Sequence, residues 1–220
     1  MTQVIPALLG ADPLRLAEAV TAADQAGAPM LHLDVMDGCF VDEISFGVRT
    51  VRAVAAATSL PLDVHLQVID PDRTVDALID IPVHMVTLHV EGSRHLARSL
   101  RRLAAAQVHR ALALNPATGL DAITEVLDDV DQVTVMTSSP GTSEFLPYTV
   151  RKVRRLRELL DRNGRPDVPI AVDGGITAAR AAHLQAAGAD RLIAASAVFG
   201  HPDGVAAGLA ALGASSAATA

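Results

Sequence analysis

The sequence of 220 residues fits one domain, since a single α/β barrel of roughly 200 to 250 residues buries one large core. Half of the residues are hydrophobic, yet charges break the apolar runs well short of the ~20 residues a membrane span needs, and a net charge of −7 argues against nucleic acid, whose binding rests on a basic surface. The single cysteine, Cys39, excludes an intrachain disulfide and a thiolate metal cluster, so any metal must be held by histidine and carboxylate.

The N-terminal MTQVIPALLG lacks the basic segment, long apolar core and cleavage site of a signal peptide, so it reads as a first strand and places the protein in the cytoplasm. Short β-like runs then alternate with Ala- and Leu-rich helical segments, the pattern of repeated βα units around a parallel sheet. Eight strands are predicted: Val4 to Leu9, Met30 to Val35, Leu62 to Leu66, Met85 to His89, Ala111 to Leu114, Gln132 to Met136, Ile170 to Val172 and Arg191 to Ala194. Helices fill the gaps. In the first, Leu14 to Ala26, residues Leu14, Ala17, Val20 and Ala23 are spaced for one buried face, and Gly27 is placed to end the helix. The basic run RKVRRLRELLDR at 151 to 162 interleaves Val153, Leu156, Leu159 and Leu160, which fits a solvated amphipathic helix better than a nucleic-acid patch.

An open doubly wound sheet is the alternative, but its nucleotide-binding form carries a glycine-rich first turn where this chain has LLGADP. The predicted fold class is therefore α/β, a closed (β/α)8 TIM barrel. A single domain is expected over 1–212, with a disordered tail at 213–220, where GASSAATA offers little to pack.

Barrel active sites form at the carboxyl ends of the strands. There stand His32 and Asp34 on strand two, His65 on strand three, Met136 on strand six and Asp173 on strand seven. His32 and Asp34 are two apart, so their side chains share a side of the strand, toward the barrel mouth. With His65 and Asp173 they form an N2O2 set suited to one divalent metal, Zn²⁺ first and Mn²⁺, Fe²⁺ or Co²⁺ as alternatives. A lone His-x-Asp pair is as well explained by structure, the His bonded to a carbonyl and the Asp capping a loop. His84, His89, His95, His109, His183 and His201 lack such partners and read as structural or surface residues. His89 ends strand four and reads as a buried, hydrogen-bonded histidine.

Seven segments, LHLDVMDGCFV, LPLDVHL, VTLHVEGS, ALNPAT, LDDVDQVTVM, VDGGI and ASAVFG, occur in the order and near the spacing of one family. From about residue 4 to residue 200 the chain resembles ribulose-phosphate 3-epimerase. The resemblance implies that His32, Asp34, His65 and Asp173 are metal ligands and that Asp34 and Asp173 are also the two acid/base groups. Inverting a carbon next to a ketone removes a proton from one face and returns one to the other, which a base on each side accomplishes. The implied activity is inversion of C3 in a ketose phosphate through an enediolate, with D-ribulose 5-phosphate to D-xylulose 5-phosphate as the best single substrate pair.

Met36 and Met136 match methionines that pack around the reacting centre in the family, with plain core filling as the competing explanation. Gln67 stands where the family usually has another methionine. For phosphate, Gly174 and Gly175, followed by a helix cap at Thr177, provide backbone N–H donors. Ala195 and Ser196 replace the family's Gly-Ser pair. After strand six the family has a glycine-rich phosphate loop, whereas this chain reads TSSPGTSEFLP, shorter and retaining only Gly141; hydroxyls of Ser139, Thr142 or Ser143 are the available substitutes. Ala7 and Gly10 replace the serines of the family's first strand, and Cys39, Asp42 and Glu43 stand where a His, Pro and Asn are more usual.

The expected partners are a small-molecule sugar phosphate and further copies of the chain as a homo-oligomer, with neither nucleic acid nor membrane. Competing readings are the same chemistry on another ketose phosphate, such as allulose 6-phosphate, metal-dependent hydrolysis, and a non-catalytic sugar-phosphate-binding homologue. A Schiff-base aldolase would need a lysine inside the barrel, and the only lysine, Lys152, lies in the charged helix.

Overall fold

The computed structural model describes residues 2–214. Eight parallel strands are present: β1 (Gln3–Pro6), β2 (Leu31–Met36), β3 (Leu62–Gln67), β4 (Met85–His89), β5 (His109–Leu114), β6 (Gln132–Met136), β7 (Ile170–Asp173) and β8 (Arg191–Ala194). They run in the order β1-β8-β7-β6-β5-β4-β3-β2, and a parallel bridge between Ala7 and His32 brings the sheet's two edges together. The result is a single-domain (β/α)8 barrel, as the alternation of elements predicts.

Strand alternation divides the side chains into two sets. Outward-facing Leu31, Leu33, Val64, Leu66, Val133 and Val135 pack under the helices in one large apolar cluster. Ile5, Ala7, Met30, Ala171 and Ile193 form a separate small cluster. Much of the remaining strand surface is polar and fully buried: His32, Asp63, His65, Thr87, His89, Gln132 and Thr134. Buried polar groups on this scale need partners; His32, Asp63 and Thr87 find them in one another, whereas His65 Nε2 and His89 Nε2 have none among the described residues.

The helices are α1 (Leu16–Gln25), α2 (Val48–Ala57), α3 (Asp72–Leu78), α4 (Leu96–Ala105), α5 (Thr149–Arg162), α6 (Ala178–Ala186), α7 (Ser196–Phe199) and α8 (Val205–Ala214). Among the described residues none is long and apolar enough to cross a membrane. The first helix starts later than its periodicity suggests. Asp12 accepts a hydrogen bond from the Leu14 N–H, Pro13 fixes the next dihedral, and Pro13–Arg15 winds as a 3-10 turn. That turn leaves Leu14 93% exposed and Ala17 also exposed, so only Val20 and Ala23 of the expected face are buried. Gly27 does end the helix: it adopts φ +72°, and Ala28 N–H reaches back to the Ala23 carbonyl in a Schellman arrangement.

Other boundaries shift for local reasons. The first strand stops at Pro6, because Leu8–Gly10 turns as a 3-10 helix against the end of β8. Between β5 and β6 the connection is a ten-residue 3-10 helix, Leu120–Asp129, burying Leu120, Ile123 and Leu127. Gly213 and Ala214 belong to α8 rather than to a tail, and the rest of the expected tail, 215–220, lies outside the described residues. Lys152 is on the buried side of α5, its amine donating to the Asn115 carbonyl at 2.6 Å, outside the central cavity.

Candidate active site

The β2–β3 register sets His32 beside Asp63, Asp34 beside His65, and Met36 beside Gln67. Parallel pairing thus delivers one polar column from each strand to the same end of the barrel. His32 Nε2 lies 3.3 Å from His65 Nδ1 and 3.3 Å from Asp34 Oδ1. His65 Nδ1 is 3.4 Å from Asp34 Oδ1 and 3.4 Å from Asp173 Oδ2, and the latter is 3.9 Å from His32 Nε2. One ligand atom from each of these four residues therefore falls within 4.8 Å of all the others, a cluster able to hold a metal ion.

The donor set is tested by what surrounds it. His32 Nδ1 faces Asp63 Oδ2 at 3.0 Å, and Asp63 also accepts from Thr87 Oγ1 at 2.7 Å. A carboxylate accepts only, so it places the proton on Nδ1 and leaves the Nε2 lone pair turned toward the cluster. Burial alone would lower the His32 pKa, but Asp34 and Asp63 outweigh it and raise it well above the usual imidazole range. His65 is raised too, its burial outweighed by Asp173 and Asp34. Burial likewise opposes ionisation of Asp34, yet the facing imidazoles hold it below the ordinary carboxylate range. A field that attracts protons onto buried imidazoles attracts a divalent cation to the same point, so the residues present fit the expected metal.

Gln67, 2% exposed, donates from Nε2 to Asp34 Oδ1 at 2.8 Å. Ser45 donates to the Asp34 carbonyl and accepts from Met36 N–H at 3.0 Å, fastening the β2–α2 loop to the strand end. Above the cluster opens a cavity of about 350 Å³. Its lining includes Met36, Gln67, Met136, Gly141, Thr142, Ser143, Gly174, Gly175, Ala195 and Ser196, together with Asp34 and Asp173.

Three details depart from expectation. Ser138, not Ser139, joins the wall of the cavity, its hydroxyl donating to the Thr142 carbonyl at 2.8 Å. Thr177 occupies the position before α6, but its side chain makes no cap bond there. Of the two acids after β2, Glu43 lines the cavity and Asp42 does not. Gly174 (φ +111°) and Gly175 (φ +62°) adopt backbone conformations that favour glycine, and a Cβ at Gly175 would lie 2.6 Å from the Ser143 carbonyl oxygen.

Sequence reasoning missed Asp63 and Thr87. The signal for Asp63 was present, since Asp63 and His65 are two apart on one strand, the same spacing that singled out His32 and Asp34. His89 is buried, as expected, with Nδ1 3.1 Å from Glu91 Oε2; burial pushes its pKa down to about 4.

A closed barrel with an acid–imidazole cluster beneath a cavity at its strand ends defines an enzyme for a small-molecule substrate. A profile described as the Ribulose-phosphate 3 epimerase family matches residues 3–199. The chain is 37% identical over 205 residues to a ribulose-phosphate 3-epimerase of Bacillus subtilis, covering 92% of this chain and 94% of that protein. It is 40% identical to one of Methanocaldococcus jannaschii, covering 92% and 86%. The chain belongs to the ribulose-phosphate 3-epimerase family, and as such is a carbohydrate epimerase. Solved structures share the fold at low identity: a tryptophan synthase alpha-subunit of Pyrococcus furiosus at 14% and TM-score 0.71, covering 96% of this chain and 98% of that one, and a 3-hexulose-6-phosphate synthase at 16% and TM-score 0.68, covering 98% and 99%.

Proposed function

We propose that this chain is a metal-dependent epimerase that inverts C3 of a ketose phosphate, with D-ribulose 5-phosphate and D-xylulose 5-phosphate as its substrate pair. The observation that carries the reading is the convergence of one ligand atom from each of His32, Asp34, His65 and Asp173 within 4.8 Å beneath a sugar-sized cavity. These four residues would hold one divalent ion, zinc being the best match to two imidazoles and two carboxylates. When bound, the ion would supply Lewis acidity that stabilises the negative charge developing on the substrate as its proton leaves, worth several kcal/mol.

The chain's own residues supply the rest. Asp34 and Asp173 come from different strands and each offers one oxygen to the cluster, leaving the second oxygen of each to take a proton from one face of C3 and return one to the other. Gln67 steadies Asp34 by donating to Oδ1, so the carboxylate cannot rotate freely between its two tasks. Met36 and Met136, both buried at the cavity floor, limit water around the reacting carbon. Backbone N–H groups of Gly174, Gly175 and Ser196 are the phosphate donors, with the Ser143 hydroxyl replacing part of the family's glycine loop, while the Thr142 hydroxyl donates to the Ser139 carbonyl at 2.8 Å. The protein works in the cytoplasm as a homo-oligomer in this reading, and exposed Leu14 and Ile44 are apolar side chains available to such a contact.

Turnover in heavy water tests the mechanism: the product gains deuterium at the inverted carbon, and Asp173→Asn loses at least ~10²-fold in kcat. Near-normal turnover by Asp173→Asn rules out its acid/base role. Comparing kcat/KM for ribulose 5-phosphate, allulose 6-phosphate and free ribulose tests the substrate, and free ribulose turned over as well as either ester rules out the phosphate assignment.

A further inference from the structure

The two imidazoles of the cluster are oriented by different means. His32 has its remote nitrogen tied to Asp63 at 3.0 Å, and Asp63 is tied in turn to Thr87. His65 presents Nδ1 to the cluster, while its Nε2 is buried without a hydrogen-bond partner among the described residues. Remote nitrogens of metal-binding histidines ordinarily donate to a carboxylate, carbonyl or water, which fixes the ring plane. His65 has another neighbour for that purpose. The His89 ring stacks on it with centroids 4.9 Å apart and planes 15° from parallel.

His89 is itself immobilised. Its Nδ1 bonds Glu91 Oε2 at 3.1 Å, and the other Glu91 oxygen accepts from Asn115 N–H at 2.8 Å and from the Thr118 hydroxyl. Its ring also meets Phe40, centroids 4.7 Å apart, on the loop that follows β2. Ring contacts therefore run from that loop through His89 to His65, tilted at Phe40 and stacked at His65, and Glu91 fastens the middle ring to the end of β5.

We propose that His89 is a positioning residue for the metal centre: its ring, clamped by Glu91, fixes the plane of His65 by stacking, the task that Asp63 performs for His32 through a hydrogen bond. The inference rests on the reading of the cluster as a metal site. It predicts that a flat ring at position 89 matters more than the imidazole nitrogens.

Metal-free wild type, His89→Phe and His89→Leu would be titrated with Zn²⁺ against a chromophoric chelator, and the thermal midpoint of each metal-free protein measured alongside. His89→Phe should bind within about threefold of wild type, and His89→Leu about tenfold more weakly, the low end of what loss of a supporting contact costs. Wild-type affinity in His89→Leu overturns the inference. Equal weakening in both variants also overturns it, since that traces the effect to the bond with Glu91 instead of the stack. A merely structural role would lower the metal-free midpoint of His89→Leu and leave its zinc affinity unchanged. Should His89→Leu not fold, His89→Met, flexible and without a ring, is judged by the same criteria. A wild type that takes up no divalent metal overturns the metal reading itself and the inference with it, an outcome distinct from all of these.

Discussion

Placing serine at position 10 should destabilise this chain unless position 195 becomes glycine. An ideal Cβ at Gly10 would lie 2.4 Å from the Ala195 carbonyl carbon, 2.7 Å from its oxygen and 2.8 Å from its Cα. Favourable contact between carbons begins near ~3.5 Å, so one of the two backbones must retreat by about 1 Å. Ala195 has little latitude to do so, for it sits at φ −94° and ψ −89°, outside the broad regions open to residues with a Cβ, immediately before α7. Overpacking of this kind costs about 1–3 kcal/mol, and for a domain of this size 2 kcal/mol lowers the thermal midpoint by roughly 4–8 °C. Gly10→Ser alone should show that loss, and Gly10→Ser with Ala195→Gly should recover at least ~1 kcal/mol of it, a coupling expected only of residues in contact. Urea unfolding of wild type, both single variants and the double variant closes the cycle. Because Gly10, Ala195 and Ser196 all line the cavity, the KM for ribulose 5-phosphate should rise in Gly10→Ser and fall back in the double variant. A single-variant cost below ~0.5 kcal/mol, or four values that add within ~0.5 kcal/mol, refutes the reasoning.

Asp63→Asn keeps the volume but removes the charge that holds the Nδ1 proton of His32, so metal affinity should weaken by about 10–100-fold with the fold retained; unchanged affinity in a chelator competition would remove Asp63 from the site. Lys152 gives a pH dependence. Burial pushes its amine from the ordinary 10.5 down to about 8. Between those pH values the unfolded chain holds a proton that the folded chain has released, so the contribution to stability rises with pH across that window. The unfolding free energy of wild type minus that of Lys152→Met should therefore increase by at most about 3 kcal/mol from pH 7.5 to pH 10.5, and a difference that stays flat or falls contradicts the burial of a charged amine.

The parts of this protein that periodicity governs are legible in its sequence. All eight strands lie where alternation of β-like and helical runs puts them, because a parallel barrel repeats one physical unit and errors at one boundary do not propagate. Boundaries shift where a local contact overrides the pattern: the Asp12–Pro13 cap turns Leu14 into solvent, and the close approach of Gly10 to Ala195 ends β1 early. The four clustered residues are legible because strand ends and two-residue spacing are properties of sequence. Their supporting shell is only half so. Asp63 follows the same spacing rule as Asp34, yet nothing in one strand says that an aspartate will face a histidine on its neighbour; that depends on the β2–β3 register, which pairs His32 with Asp63 in space although 31 residues separate them. His89 and Glu91 share that two-residue spacing within VTLHVEGS, but the stacking of one ring on another leaves no mark in the sequence. The inside of this barrel is therefore a place where hydrogen-bond satisfaction, rather than apolar packing, decides which residues work together: a polar side chain left there without a partner costs about 1–3 kcal/mol, and the partners that remove this cost for His32 and Asp63 are the same ones that aim the site.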